Sequence, residues 1–294
     1  MEKAVYHLPG LFEFYDFYRK FLPIYREKTE YFYDWCQIGS LYGAPADCLW
    51  AGGRVSNGNA DPRQVLALTE EYGLSARLTF SNSLLRPEHL KDPKCNRLCA
   101  LFGAEPGNGV IVHSDLLLDY LKEKHPNFYF VSSTTKVLTD FEDLAAETER
   151  PDFRYVVPDF RLNKAFDRLA GLKEKRKVEF LCNECCWPGC RERKECYENV
   201  SRKNLGEHCP DHICAAPEGE KGYRFSAAMK NPAFIGIRDI RETYLPMGFS
   251  QFKIEGRGLG SAMLLEFILY YLTKPEYQLP LREEMYLDSM LDLF

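Results

Sequence analysis

Short apolar, β-branched or aromatic runs alternate along the chain with stretches of helical spacing. The runs are "DCLWAGG" (47–53), "SARLTFSN" (75–82), "NGVIVHSD" (108–115), "NFYFVSS" (127–133), "FRYVVPD" (153–159), "KVEFLCN" (177–183), "AFIGIR" (233–238) and "FSQFKIEG" (249–256). Most lie 20–30 residues apart, and helices fit between them at 62–73, 116–124, 138–148, 162–174 and 261–272. Asp61 followed by Pro62 is a good helix start, an N-cap acceptor before a proline at the first helical position. Strands that are apolar throughout are buried on both faces, and with helices between them they form a parallel sheet. Eight such units predict a (β/α)8 barrel in preference to an open doubly wound sheet.

The barrel is expected to be a single domain over 1–294, with two qualifications. Residues 1–40 read as an N-terminal helical segment, because the aromatics of 9–38 show mixed helical spacing, broken near Pro23. Residues 182–225 read as a cysteine-rich insertion after the sixth strand run, in the longest interval of the chain. Barrel enzymes keep their chemistry in the loops at the C-terminal ends of the strands. Polar residues predicted there are Arg54, Asn57, Asn82, His113, Asp159, Asn183, Glu184, Lys253, Glu255 and Arg257. Singly, each has an ordinary reading: Asp159 suits a helix cap, Asn82 a turn, Arg257 an ion pair and His113 a hydrogen-bonded scaffold position. As a group, arginines and carboxylates around one mouth suit a small polar or anionic ligand.

Composition narrows the partners. A net charge of −5 gives no overall pull toward nucleic acid, though local basic patches remain open. No apolar run reaches the ~18 residues of a membrane span, and "AMLLEFILYYL" is interrupted by Glu266. No signal peptide is evident, so a reducing cytoplasm is expected, where the 11 cysteines are poor candidates for a disulfide framework. "AGGRVSNGNADP" is glycine-rich but lacks the lysine of a phosphate loop.

Seven cysteines fall between Cys182 and Cys214, and the scattered Cys36, Cys48, Cys95 and Cys99 read as small buried apolar residues. The cluster runs Cys182, Cys185, Cys186, Cys190, Cys196, Cys209, Cys214. Zinc takes four thiolate or imidazole ligands in a tetrahedron, so Cys186 and Cys190 with Cys209 and Cys214, or with His208 or His212, would serve. An iron–sulfur cluster also takes about four thiolates at more varied spacing. Spacing alone separates the two poorly. A set of free thiols is the third reading, disfavoured because exposed thiols oxidise.

"NECCWPGCRERKECY" (183–197) resembles the Asn-Glu-x-Cys-x3-Cys-x2-Arg-x2-His-Tyr pattern of the collagenase-like peptidase family U-thirty-two. "FIGIRDIRETYLPMGFSQFKIEGRG" resembles that family's second signature, and Lys253, Ile254, Glu255, Gly256 and Arg257 match its strand end. The likeness is strongest over 178–272; "SLYGAPADCLWAGGR" and "FVSSTTKVLTD" echo the family more loosely. The resemblance implies a (β/α)8-type fold with a cysteine-ligated 4Fe–4S cluster. It also implies oxygen-independent hydroxylation, or a related modification, of a small or nucleotide-type substrate. Cys186, Cys190 and Arg193 match the first motif, Cys196 stands at its histidine, and Cys209 or Cys214 supplies a further ligand. Arg54, His113, Glu184, Glu255 and Arg257 are then the candidate catalytic residues, and Asn57, Asn82, Asp159, Asn183 and Lys253 the candidate substrate contacts. A zinc-stabilised scaffold protein is the alternative. A peptidase is the third reading, with no Ser/His/Asp set or H-E-x-x-H to support it.

Overall fold

The computed structural model describes residues 2–45, 47–53, 58–217 and 222–291. Eight strands form one parallel sheet: β1 Ala4–Pro9, β2 Cys36–Gly43, β3 Ser75–Phe80, β4 Gly109–Val112, β5 Tyr129–Ser132, β6 Phe153–Val156, β7 Glu179–Leu181 and β8 Gln251–Lys253. Their order is β6-β5-β4-β3-β2-β1-β8-β7, and a parallel bridge from Val156 to Val178 brings the two edges together. The result is a nearly closed (β/α)8 barrel.

Six of the strands lie in expected runs. The other two, β1 and β2, lie in the segment read as helical. "AVYHLP" and "CQIGSLYG" are short and carry His7, Gln37, Gly39 and Ser40, so neither apolar continuity nor alternation marks them. Between them, α1 (Tyr15–Glu27) runs through Pro23 without a break. Proline inside a helix costs ~3 kcal/mol. Packing offsets it: Tyr18, Phe21 and Leu22 are buried, Phe17 stacks on Phe21, and the Tyr18 hydroxyl donates to the Pro9 carbonyl at 2.6 Å.

Two expected strands are loops. In 47–53 the apolar Cys48, Trp50 and Ala51 are buried because the loop lies against the barrel wall, where Trp50 Nε1 donates to the His89 carbonyl at 2.8 Å. The 233–238 segment leads into a short helix. The cysteine-rich stretch therefore follows β7, the seventh strand of the barrel.

The expected helices α2 (Pro62–Glu71), α4 (Asp115–Lys124), α5 (Phe141–Glu149) and, later, α10 (Ser261–Tyr271) form, with α3 (Pro93–Phe102) between the first two and a short α6 (Phe166–Ala170) after α5. The Asp61 carboxylate caps α2, accepting from the amides of Arg63 and Gln64 at 2.9 and 3.2 Å. Asp61→Ala is expected to cost about 1 kcal/mol in urea denaturation, with the slope unchanged. The insertion carries α7 (Arg193–Asn204); α8 (Phe225–Ala228) and α9 (Ile237–Asp239) lie between its end and β8, and α11 (Gln278–Leu291) follows α10. No described helix is long and apolar enough to cross a membrane.

Two cores result. The larger fills the space between strands and helices. The smaller lies inside the barrel and consists of Tyr42, Ile111, Val131, Val157 and Leu181, with Tyr129 and Tyr155 packed against it.

Candidate functional site

Strand periodicity places the site. Along β8 and its extension, Phe252 and Ile254 pack outward into the larger core. Lys253, Glu255 and Arg257 alternate with them and line a cavity of about 410 Å³ at the barrel mouth. Gly256 makes the turn between the last two. Its φ is +143°, and an added Cβ would stand 2.9 Å from the Phe267 ring.

Beneath the cavity the barrel is charged. Arg77 Nη1 meets Glu179 Oε2 at 2.5 Å, and Lys253 Nζ meets Glu179 Oε1 at 3.2 Å. All three are buried. Burial alone would raise the Glu179 carboxyl, but its cationic neighbours, Arg77 foremost, hold it well below the usual carboxylate range. Burial and the Arg77 charge push His7 down to about 3, so it is neutral. Its Nε2 lies 3.0 Å from Gln251 Oε1 and its Nδ1 2.8 Å from Ser40 Oγ, which suits one tautomer: Nε2–H donates to Gln251 and Ser40 donates to Nδ1. The 3.5 Å approach of His7 to Glu179 is therefore not an ion pair. Burial also lowers the Lys253 ammonium, to about 8.

The loop after β7 is tied to the cavity wall by the residues interleaved with its cysteines. Asn183 engages both backbone groups of one residue: its Oδ1 accepts from the Glu255 amide at 2.8 Å and its Nδ2 donates to the Glu255 carbonyl at 3.1 Å. Glu184 Oε1 accepts from the amides of Cys185 and Cys186, each at 3.0 Å, while Oε2 meets Arg193 Nη2 at 2.5 Å. Arg193 is buried in the first turn of α7, and its Nε lies 3.4 Å from Asp159 Oδ2. Asp159 also holds Arg161, which donates to the Cys190 carbonyl at 2.8 Å. The loop contributes Cys185, Tyr197 and Tyr223 to the cavity wall.

The expected site residues thus separate. Lys253, Glu255 and Arg257 line the cavity; Arg257 is paired there with Glu13 at 2.7 Å and donates to the Ala44 carbonyl at 3.1 Å. Asn183, Glu184 and Asp159 hold the loop in place. Asn82 is not on the cavity wall; its Nδ2 clasps the carbonyls of Leu49 and Ser201, joining the barrel to α7. His113 stands behind the wall, with Nδ1 2.9 Å from the hydroxyl of Thr135, which does line the cavity. Burial lowers His113 to about 4, so it is neutral at physiological pH. Arg54 and Asn57 lie outside the described residues.

The thiols divide as well. Cys182 is fully buried, and burial pushes its thiol up; Cys36, Cys48, Cys95 and Cys99 are buried as expected. Cys186, Cys190, Cys196 and Cys209 are half-buried and Cys214 is exposed. Cys209 Sγ lies 3.6 Å from Asn199 Nδ2, one helical turn from Cys196 on α7. Among the described residues, the one group of three or more ligand-type atoms within 4.8 Å of one another is Glu184, Cys185 and Glu255; no three of the five expected sulfurs lie that close together. Thiols have no mutual attraction strong enough to order a loop; in cysteine-ligated sites that energy comes from the metal. Within that group both Glu184 oxygens accept hydrogen bonds, and the Cys185 thiol donates to Glu255 Oε1 at 3.6 Å.

Sequence reasoning passed over His7, Arg77, Glu179 and Tyr42, and gave Cys185 no role. One signal was present. Arg77 in "SARLTF" and Glu179 in "KVEFL" are charges inside strands buried on both faces. Such a charge needs a partner within the barrel.

No protein-family model matches the chain, and no curated protein matches its sequence. Among solved structures, the U32 peptidase Mk0906 matches with a TM-score of 0.55 at 14% identity, over 88% of this chain and 94% of that one. At that identity the likeness is one of fold. It agrees with the resemblance carried by the motifs at 183–197 and 253–257.

Proposed function

We propose that this chain is an enzyme acting in the mouth cavity, with its cysteine-rich loop holding a 4Fe–4S cluster. The reaction class is oxygen-independent hydroxylation, or a related modification, of a small or nucleotide-type substrate. The supporting observation is physical continuity. The loop that carries the thiols also contributes Cys185, Tyr197 and Tyr223 to the wall that contains Lys253, Glu255 and Arg257. Cys186, Cys190, Cys196 and Cys209 are the ligands, with Cys214 as substitute. As accessible thiols on one loop they are donors of the right kind for iron–sulfur or zinc. Bound there, the cluster would supply electron transfer at the cavity.

The chain's own residues do the rest. Arg257, fixed by Glu13, orients the polar end of a substrate. Glu255 accepts or returns a proton. Lys253 presents nitrogen at the floor, and Thr135, backed by neutral His113, fixes one side. The test is anaerobic purification with iron, sulfide and zinc analysis and a visible spectrum. A brown protein that loses iron in Cys186→Ala and Cys190→Ala is expected. A colourless protein with one zinc and no iron would sink the reading in favour of the zinc-stabilised scaffold.

A further inference from the structure

We infer that Lys253 is a carbonyl-capturing amine: the cavity takes a small aldehyde or ketone, and Nζ joins its carbonyl carbon as an imine. The inference rests on reading the cavity as the reaction site but not on any cluster. Its first support is a charge count inside the barrel. Arg77 and Lys253 share one carboxylate, Glu179. The guanidinium holds the shorter contact and cannot release its proton. With Lys253 neutral, the buried Arg77–Glu179 pair is balanced. With Lys253 charged, one positive charge is left over in a buried site, and such a charge tends to neutralise.

His7 on β1 is neutral, Tyr42 on β2 lies with its ring centre 3.7 Å from Nζ, and Tyr155 on β6 packs by its ring. Arg257 beyond β8 opposes a charge on Lys253, while Glu179 favours it. Burial, with the Arg77 and Arg257 charges, outweighs Glu179 and brings Lys253 to about 8, while the Tyr42 face favours the ammonium. Near that pH about half the molecules carry a free amine. The second support is position. Lys253 is on the cavity wall with only 5% of its surface exposed, within reach of a carbonyl entering from the mouth.

The step balances without a redox partner. The amine lone pair forms a C–N bond, and the carbonyl oxygen takes a proton. That oxygen then leaves as water with the two protons first held by nitrogen. Glu255, on the same wall, is the carboxylate available to pass the proton.

The experiment is brief exposure of the full-length protein to glycolaldehyde with cyanoborohydride at several pH values, followed by peptide mass spectrometry. Lys253 is expected to carry the reduced adduct ahead of exposed Lys173, on the order of tenfold or more at pH 8. Its rate should rise with a midpoint near that pH. Lys253→Met, which removes the amine without fixing a charge in the barrel, should lose this first adduct while retaining the wild-type circular dichroism. Labelling of Lys173 with Lys253 untouched would overturn the inference. Metal analysis of the same sample keeps this outcome separate from the cluster reading, because a protein without iron should still label at Lys253.

Discussion

Replacing Glu179 with alanine is expected to cost about 3–5 kcal/mol, enough to unfold a marginal barrel. Arg77 and Lys253 are both buried, and the substitution would leave them without their shared counter-ion. Urea denaturation at neutral pH measures the loss. The control is Arg77→Met with Glu179→Met. It replaces the ion pair with apolar volume and should recover most of the stability, because a buried pair does not outperform good packing. If the double variant is as unstable as Glu179→Ala, the lost charge partner is not the cause.

The same barrel interior sets an acid limit. The Glu179 carboxyl is depressed below 4.5 in the fold, so its stabilisation is complete above that value and disappears as pH falls through and below it. His7 acts in the same direction at higher pH. Its imidazole takes a proton near 6.5 when unfolded but only at about 3 when folded, so stability declines from pH 6.5 downward. Lys253 acts at the alkaline end. The unfolded amine holds its proton to about 10.5 and the folded one to about 8, so stability from this group rises with pH between those values.

The second large effect concerns the loop. Arg193→Met should cost about 3–5 kcal/mol locally, because the buried Glu184 carboxylate would lose the guanidinium it meets at 2.5 Å. The expected sign is release of the 186–217 segment, seen as new protease cleavage there and faster thiol labelling of Cys186 and Cys190. Adding Glu184→Gln removes the orphaned charge and should restore protection. Unchanged cleavage in Arg193→Met would mean that something other than this pair holds the loop.

Local pattern carried the fold wherever a strand was apolar throughout and bounded by turns, as in "NGVIVHSD" and "NFYFVSS". It failed where barrel closure, not local preference, made a strand. β1 and β2 contain His7 and Ser40, which become acceptable in strands only when hydrogen-bond partners meet them inside the barrel, while Gln37 between them is exposed. The opposite error has the same origin. "DCLWAGG" is apolar because a loop is pressed against the barrel wall, and single-sequence pattern does not distinguish that from a strand.

The chain by itself determined that strands and helices alternate, that Lys253, Glu255 and Arg257 share one strand face, and that the thiols crowd into one loop beside the mouth. These follow from periodicity two along a strand and from spacing along the chain. Only the tertiary structure decided which polar residues meet. It turned Asn183, Glu184 and Asp159 into the fastenings of the loop and moved Asn82 and His113 behind the wall. It also placed Glu179 between Arg77 and Lys253, residues separated in sequence by 102 and 74 positions. Such partnerships arise from barrel closure, which sets distant strands face to face across a dry interior, where a lone charge is too costly to leave unpaired.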